Sequence, residues 1–557
     1  MLKIKKPLSS KPRTILLSLL GLSLFATAVI LYPHINNLWQ TQDVEAAGEV
    51  NIYYSVGQNT LDHKTGSPTI TISGNTATFS IPQTATNIGV GDQISYGNAS
   101  ATTTAYISAK VSSTTWSVIT RIGGQPTATT TATVLKIAHA FSSLNAAVGD
   151  YDPGASNSSH LNSTSTVSGN YILNIPCYYD SGPGTTAVVI NDWMTSANNY
   201  IRIYTPTNTS SEVNLTQRHN GTWSVNKYMI SLNNSGWNRA PIRIDTSLNT
   251  WVRIDGLQLL ESSNDQSSIA VFWDDGGKAR ISNSILRGGT STYKPKGVSQ
   301  GGNNNADAYI FNNIIYDVTR GISFGISSGK GYAYNNTIQN CDTGIYAANS
   351  NYQIAINNLV KLCTTSFSGT FAVGTDYNST DNPSMGYIVT GTGNLNDRVS
   401  QSYSFVNESG DDFHLTSSDS GARNHGLSNP GSGLFSNDVD GEARIGAWDI
   451  GADEYTFLSI PNISGISTST TATTATITWS TDQLSTSSVR YGLTNSYGAA
   501  SSSNSSVYTH SIVIRGLSEY TPYYFRVEST NDFGTATSSD HQFRTLEVTP
   551  PIVTAFP

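Results

Sequence analysis

The sequence is poor in charge and in cysteine, and both shortages limit what the protein can be. Only 12% of the 557 residues are charged, and the formal net charge is −8. A chain with so few cations is not expected to bind nucleic acid, because phosphate contacts need Lys and Arg. Three cysteines without zinc-site spacing exclude a dense disulfide framework.

Catalytic motifs are also missing. The sequence has no P-loop, dinucleotide fingerprint, HExxH motif or nucleophile elbow. Ser, Thr, Asn and Gly supply the polar surface instead of charged residues, which is typical of β-rich extracellular proteins. The length predicts roughly three or four domains.

The N-terminus carries an export signal. Five cations between Lys3 and Arg13 precede an uncharged apolar stretch over 15–31. This pattern predicts a signal peptide or signal anchor within 1–47. Cleavage near Ala46 and retention as an anchor both stay open, so the protein is expected to be secreted or anchored to the cell surface. Contact with the membrane is expected only through this segment.

Residues 48–137 are predicted to form a cap strand and a small β-domain. Apolar and small polar residues alternate from 68 to 136, which indicates half-buried strands. A short helix is predicted at 141–148, with Leu144 and Val148 on one face. The segment 55–137 is either an insertion between cap strand and cap helix or a separate domain.

Residues 138–455 contain repeats, which align on four asparagines. Asn283, Asn313, Asn336 and Asn358 are separated by 30, 23 and 22 residues. One coil per repeat would stack the asparagines roughly 4.8 Å apart, so that their side chains hydrogen-bond from coil to coil. The alignment predicts two interior columns, which consist of Ile281, Phe311, Tyr334 and Ile356, and of Ile285, Ile315, Ile338 and Val360.

The same alignment stacks two cysteines. Cys341 and Cys363 each lie five residues after an asparagine, and Val318 holds the equivalent place in the preceding coil. The valine predicts an apolar column, in which we expect buried free thiols rather than a disulfide.

These features resemble secreted right-handed parallel β-helix proteins of the pectate-lyase-like fold, over 138–455. The acidic segment 411–455 resembles the closing segment of such proteins, in which buried pairing of Asp and Arg is favoured over calcium binding. Residues 456–546, with Trp479, Leu517 and Tyr523, resemble a fibronectin type III domain. The expected fold class is therefore all-β: a parallel β-helix with an N-terminal β-rich insertion or domain and a C-terminal fibronectin type III sandwich.

Two features of the C-terminal part complete the expected organisation. The run 489–492 also resembles the module that precedes the catalytic domain of purple acid phosphatases, but no metallophosphatase segment follows, so phosphatase activity is not expected. Residues 547–557 resemble a linker entering another module, which is typical of a truncated chain.

One charged stretch is the candidate site. Pectate-lyase-like chemistry needs carboxylates that hold calcium and a Lys or Arg as base. On that basis Lys278 and Arg280 are the candidate catalytic residues. Asp275 and Asp307 are the candidate calcium ligands, and Trp273 and Asp274 the candidate substrate contacts.

The leading functional hypothesis is binding of a polysaccharide or cell-surface glycan, that is, adhesion or recognition without a certain cofactor. The alternative is a polysaccharide lyase or glycoside hydrolase that acts on an acidic polysaccharide, with calcium as the possible ion of a lyase. Catalysis is the less favoured of the two, because charge beside a coil is usually a solvated face.

Overall fold

The computed structural model describes residues 48–548, apart from several short stretches. These stretches are 99, 149–160, 162, 192, 234–239, 246–250, 263–268, 275–277, 290–293, 302–306, 326–328, 349–351, 390–394, 457–459 and 532–533. The chain divides into two compact units, Met1–Tyr455 and Thr456–Pro557. Both are nearly all β, which confirms the all-β prediction.

The first unit contains the helix α1 (Leu144–Val148), a 3-10 turn at Glu408–Gly410 and the strands β1 to β28. The first fourteen strands are β1 (Val50–Tyr53), β2 (Thr69–Ser73), β3 (Thr76–Phe79), β4 (Gln93–Asn98), β5 (Ala101–Lys110), β6 (Thr115–Ile119), β7 (Thr129–Ala138), β8 (Tyr171–Pro176), β9 (Val188–Ile190), β10 (Ile201–Tyr204), β11 (Met229–Leu232), β12 (Ile242–Asp245), β13 (Trp251–Asp255) and β14 (Gln258–Glu261). The next fourteen are β15 (Ile269–Asp274), β16 (Lys278–Ser282), β17 (Ile285–Gly288), β18 (Lys296–Gln300), β19 (Ala308–Phe311), β20 (Ile314–Phe324), β21 (Gly331–Tyr334), β22 (Thr337–Ala347), β23 (Gln353–Ile356), β24 (Leu359–Phe371), β25 (Ser379–Thr380), β26 (Tyr387–Val389), β27 (Phe405–Asn407) and β28 (Asp412–Leu415).

Two parallel sheets form most of this unit. One sheet has eight strands in the order β1-β8-β10-β13-β16-β19-β21-β23. The other has twelve strands and includes β9, β11, β12, β14, β15, β17, β18, β20, β22 and β24 to β26. From β8 to β23, the chain passes through one or two strands of the second sheet before it returns to the first sheet one strand further along. Equivalent apolar residues stack in register as a result, as in the buried column Ile254, Ile281 and Ile310.

The asparagine ladder is present, but it begins one coil later than predicted. Asn313, Asn336 and Asn358 each donate from Nδ2 to the Oδ1 of the next asparagine, and Asn378 continues the row, at 3.0, 2.9 and 3.0 Å. Asn283 does not belong to this row. Its coil is aligned one residue differently, and the backbone of Ser284 donates to Asn313 Oδ1 instead.

The one-residue difference also corrects the predicted interior columns. Ile281 pairs with Ile310 and not with Phe311. Phe311, Tyr334 and Ile356 point away from the main core and pack in a separate apolar cluster that includes Leu434 and Phe435. Ile315, Ile338 and Val360 do lie in the main core, as predicted, but Ile285 pairs with Ile314 and packs in a separate cluster.

The prediction of free thiols at the stacked cysteines was wrong. Val318, Cys341 and Cys363 do pair in register, and all three are buried. The two cysteines form a disulfide with their Cα atoms 4.4 Å apart. Adjacent strands bring the Cα atoms to the short end of the bonding range, and this proximity outweighs the parallel direction of the side chains. Cys177 is a buried free thiol.

A closed antiparallel barrel lies in sequence between β1 and α1. Its strand order is β2-β3-β6-β5-β4-β7, and its core includes Phe79, Ile94 and Trp116. β1 pairs with β8, so the eight-stranded sheet begins before the barrel in the chain and continues after it.

The second unit is an antiparallel arrangement of six strands. They are β29 (Ile463–Thr470), β30 (Thr474–Gly492), β31 (Ala499–Arg515), β32 (Pro522–Asn531), β33 (Gly534–Thr537) and β34 (His541–Arg544). Trp479 is buried and donates from Nε1 to Ser529 Oγ at 2.9 Å. The Tyr523 hydroxyl accepts from the Ser518 backbone N–H at 3.0 Å, which fixes the turn before β32.

The predicted export segment, 1–47, lies outside the described residues. Among the residues that are described, no helix is long and apolar enough to cross a membrane.

Candidate metal centres

Three segments meet where the barrel joins the first coils, and each supplies one polar side chain. His63 follows β1, His139 follows β7, and Asp180 follows β8. Single parallel bridges from Val56 to the 139–141 and 177–180 segments hold these ends together. We call His63, His139 and Asp180 the joint group.

His139 is buried between two carboxylates. Its Nδ1 is 2.8 Å from Asp92 Oδ1, and its Nε2 is 3.0 Å from Asp180 Oδ1. The Tyr178 ring stacks on the imidazole at a centroid distance of 4.8 Å. A Cβ on Gly57 would lie 2.2 Å from Asp180 Oδ2, so only glycine fits beside the pair.

His63 has one ring nitrogen engaged and one unpartnered. The Asn87 carboxamide Nδ2 donates to His63 Nδ1 at 3.1 Å and to Asp180 Oδ1 at 2.9 Å. His63 Nε2 is buried, lies 4.0 Å from Asp180 Oδ1 and has no hydrogen-bond partner among the described residues.

The protonation of the joint group follows from its charges. Burial lowers the pKa of His139, but Asp92 and Asp180 outweigh burial and raise it to about 9. Burial and the neighbouring His139 lower the pKa of His63. Burial would raise the pKa of Asp180, whereas its bonds to His139 and Asn87 lower it. The group therefore holds an ionised carboxylate and a neutral imidazole beside a proton on His139.

The joint group has the donor set of a divalent metal site. One ligand atom from each of His63, His139 and Asp180 lies within 4.8 Å of the other two. Two imidazoles and a carboxylate are common zinc ligands, and a carboxylate on the far nitrogen of a ligating histidine is a frequent supporting contact. Asp92 stands in that supporting position.

A second group lies in the segment that follows the coils. His414 of β28, Asp440 and Asp453 also place ligand atoms within 4.8 Å of one another. His414 Nδ1 is 2.6 Å from Asp412 Oδ1, and Nε2 is 3.3 Å from Asp440 Oδ2. We call His414, Asp440 and Asp453 the closing group.

Bound protons offset the negative charge of the carboxylates in and around the closing group. Burial lowers the pKa of His414, but Asp412 and Asp440 raise it to about 11, so both ring nitrogens carry protons. Burial raises the pKa of Asp453 to about 7. Asp438 has a raised pKa through burial and its neighbour Asp440. Both ring nitrogens of its single histidine are engaged by carboxylates, and the group has no second imidazole with an unpartnered nitrogen as the joint group has in His63, so we assign no metal here.

Arg444 supports the closing segment by buried pairing, although its partner is a glutamate and not the predicted aspartate. It is buried, forms an ion pair with Glu454 at 3.2 Å, and donates to Asn312 Oδ1 at 3.0 Å. Burial, followed by the charge of Asp449, raises the pKa of Glu454 to about 7.

The residues of the predicted site are only partly brought together. Lys278 and Asp307 form an ion pair at 3.4 Å, and Lys278 Nζ lies 5.1 Å from the Trp251 ring centre. Arg280 lies next to Tyr309 in the aligned strand; burial raises the pKa of that tyrosine, and the charge of Arg280 opposes the rise.

Two more predicted residues, Trp273 and Asp274, end β15 in the other sheet, with side chains outside the described set. Asp275, the proposed partner of Asp307 for calcium, lies outside the described residues altogether. This set of site residues stays a prediction.

The joint group was not predicted. Its members are separated by 76 and 41 positions along the chain, with none of the short spacings that mark metal motifs. The one available signal is His139 itself, a histidine inside the apolar run 137–141.

Comparison with known proteins changes the interpretation of the C-terminal unit. Residues 461–545 match the family model described as purple acid phosphatase, N-terminal domain. No curated protein matches the chain. The family match overturns the assignment to secreted pectate-lyase-like proteins with a fibronectin type III domain. It also overturns the adhesion, glycan-binding and polysaccharide-lyase hypotheses, because none of them is supported by a phosphatase-associated domain.

The described residues do not fit the dinuclear metal centre of purple acid phosphatases. Such a centre holds two ions about 3.5–4 Å apart between shared ligands. In the described part of the chain, the joint group and the closing group each offer three ligand atoms, which is enough for one ion. What the structure does contain is two candidate His and Asp groups, of which the joint group suits a single metal ion.

Proposed function

We propose that this protein binds one divalent metal ion at the joint group. The observation that carries the proposal is His139, which is held by Asp92 on one nitrogen while the other faces Asp180 and His63. An ion at this place would replace the Nε2 proton of His139, so binding releases a proton. The orphaned His63 Nε2 would supply the third ligand once its proton moves to Nδ1, which requires the Asn87 Nδ2 contact with that nitrogen to give way.

The expected role of this ion is structural. Asp180 belongs to the first coils, His139 follows the barrel, and His63 follows β1. One ion would join three separate chain segments, and it would stabilise the folded state because the unfolded chain has no such site. Calcium is a poorer candidate than zinc, since calcium prefers oxygen ligands alone.

The test is metal content and cobalt spectroscopy of the full chain. Wild type incubated with one equivalent of Zn²⁺ or Co²⁺ and then desalted should retain one equivalent, with the visible bands of four-coordinate cobalt. His63→Gln should lose the ion while circular dichroism stays unchanged, because the Asp92–His139–Asp180 ion pairs remain. His425→Gln, on an exposed histidine outside both groups, should behave as wild type. Wild type without retained metal, or His63→Gln with undiminished metal, would reject the site.

The match over 461–545 favours a second candidate, hydrolysis of phosphate esters by a metal-loaded form of the protein. This candidate rests on the domain match alone, and no step is derived from the described residues. The test is release of 4-nitrophenol from 4-nitrophenyl phosphate by the full chain with Zn²⁺, Fe³⁺ or Mn²⁺. Turnover absent with every ion would leave metal binding as the proposed function.

Two aspects of organisation also belong to the proposal. The repeated return of the chain to two parallel sheets, one strand further along each time, supports a parallel β-helix in the first unit, and the antiparallel strands of the second support a β-sandwich. The basic and apolar N-terminal sequence supports export. A polysaccharide partner stays an untested prediction.

A further inference from the structure

Three side chains meet where the closing segment covers two adjacent strands. Gln339 of β22 and Lys361 of β24 pair in register. Glu408, in the 3-10 turn Glu408–Gly410, lies over both of them. Its Oε1 accepts from Gln339 Nε2 at 2.6 Å and from Lys361 Nζ at 2.5 Å, and its Oε2 accepts from Nζ at 2.6 Å.

Only the nitrogen of the Gln339 carboxamide has a hydrogen-bond partner among the described residues. The residue is 6% exposed, and its Oε1 has no hydrogen-bond partner among the described residues. A buried carbonyl without a hydrogen-bond partner is uncommon in folded proteins and can mark a functional group. Because Gln339 Nε2 and Lys361 Nζ both donate to Glu408 Oε1, the carboxamide lies beside the amine.

The surroundings limit access of water to the lysine. The Lys361 side chain is 14% exposed, and Nζ lies 5.1 Å from the centre of the Phe405 ring. Two residues further along the same strands, Cys341 and Cys363 are already joined covalently. The two strands are therefore held closely enough for a bond between side chains of paired residues.

We propose that Lys361 and Gln339 form an isopeptide bond, with Glu408 as the residue that transfers the proton. Lys361 gives a proton to Glu408, and the neutral Nζ attacks Cδ of Gln339. The Nζ–Cδ bond forms, the Cδ–Nε2 bond breaks, and Nε2 takes protons through Glu408 and leaves as ammonium. One ammonium ion and one secondary amide replace one lysine ammonium and one carboxamide, so no oxidant or energy source is needed. Contact of one carboxylate with both reacting nitrogens is the geometry that such general acid–base catalysis requires.

Mass spectrometry of the full chain tests this activity. After reduction of the disulfide, wild type should be lighter than its sequence by one ammonia, and proteolysis should give one branched peptide that joins Gln339 to Lys361. Lys361→Arg keeps the charge beside Glu408 but has no reactive amine, and it should have the full mass. Lys330→Arg, on an exposed lysine, should lose ammonia as wild type does.

The role of Glu408 is tested separately by rate. Glu408→Gln keeps the shape of the contact and should slow the loss of ammonia by at least tenfold in a time course from freshly made protein. Linear peptides carrying intact Gln339 and Lys361 in aged wild type would overturn the proposal. Loss of ammonia that persists in Lys361→Arg would place the reaction elsewhere and would overturn it as well.

Discussion

At the scale of single residues, neighbouring asparagines have two different tasks. The first of each pair, at Asn312, Asn335 and Asn357, has a left-handed backbone with φ of 54°, 49° and 59°. The second of each pair forms the buried ladder. Asparagine suits the first place because its short polar side chain tolerates the left-handed region. Asn283, with φ of 50°, is a residue of the first kind.

This distinction explains where sequence analysis succeeded and where it did not. The repeat of asparagines predicted a hydrogen-bonded ladder, and the ladder exists. However, a single asparagine can be aligned with either member of an Asn-Asn pair. Asn283 was therefore aligned with the second asparagine of each pair, although it corresponds to the first. Ser284 fills the ladder position in that coil, which only the backbone pairing reveals.

Removing one asparagine of the ladder should destabilise the first unit. Asn336→Ala leaves the backbone N–H of Asn313 without its acceptor and removes the side-chain donor to the Ile310 carbonyl, both in buried surroundings. We expect the free energy of unfolding to fall by about 2–4 kcal/mol, because each orphaned buried group costs about 1–3 kcal/mol. Urea denaturation measures the change. Asn226→Ala, on an exposed loop, is the control and should change stability little; an equal loss in both variants would contradict the ladder's role.

The disulfide should also contribute measurably to the free energy of unfolding. Cys341 and Cys363 are separated by 22 positions in the sequence. For a loop of this length, loop-closure entropy predicts a contribution of roughly 3 kcal/mol to the free energy of unfolding. The double variant Cys341→Ala/Cys363→Ala should lower the urea midpoint by a corresponding amount. Dithiothreitol should destabilise wild type and leave the double variant unchanged. A reductant effect of equal size in the variant would show that the bridge is not the cause.

At the scale of elements, the closing segment is a polar cover over the coils. Asn335 Nδ2 donates to the carbonyls of Asp449 and Gly451, and Asn357 Nδ2 donates to that of Leu427. The composition of the segment predicted buried pairing of Asp and Arg, and Arg444 is indeed buried and paired, but with Glu454 instead of an aspartate. The tertiary contacts with the asparagines had no local signal, because the partners are about a hundred residues apart in sequence.

The closing segment should make stability depend on pH. The pKa of His414 rises from 6.5 to about 11 in the folded unit, so its stabilising effect is complete below pH 6.5 and is lost as the pH rises toward 11. Asp453 acts in the same direction at lower pH, since its pKa rises from 3.8 to about 7. We therefore expect stability to fall as the pH rises from about 7 toward 11.

His414→Gln should reduce this dependence. One pKa unit corresponds to ~1.4 kcal/mol, and with solvent screening and mutual coupling of the carboxylates we expect a difference on the order of 2 kcal/mol between pH 7 and 10. Urea midpoints of wild type and variant at both pH values provide the measurement. His425→Gln should keep the wild-type slope, and an unchanged slope in His414→Gln would mean that another group is responsible.

At the scale of the whole molecule, the amino-acid sequence reveals local patterns more readily than sites that depend on topology. Periodic short strands and a change of pattern near 456 are visible because repeats and alternation are local properties. The barrel closes between β1 and α1, and its ends bring together the joint group, whose members come from three distant segments. Such a site arises only from topology, which alternation of apolar residues does not determine.

The two units have separate hydrophobic cores, and this predicts two unfolding transitions. The first unit is built around residues such as Ile254, Ile281 and Ile310, and the second around Trp479, Phe525 and Val527. A unit with its own core unfolds as its own cooperative transition. Trp479→Ala removes the largest buried side chain of the second core and should cost that unit about 3–5 kcal/mol, which lowers one calorimetric transition and leaves the other in place. Zn²⁺ should raise only the transition that Trp479→Ala does not move, because the joint group lies in the first unit. A single transition shifted by both treatments would show that the units unfold together.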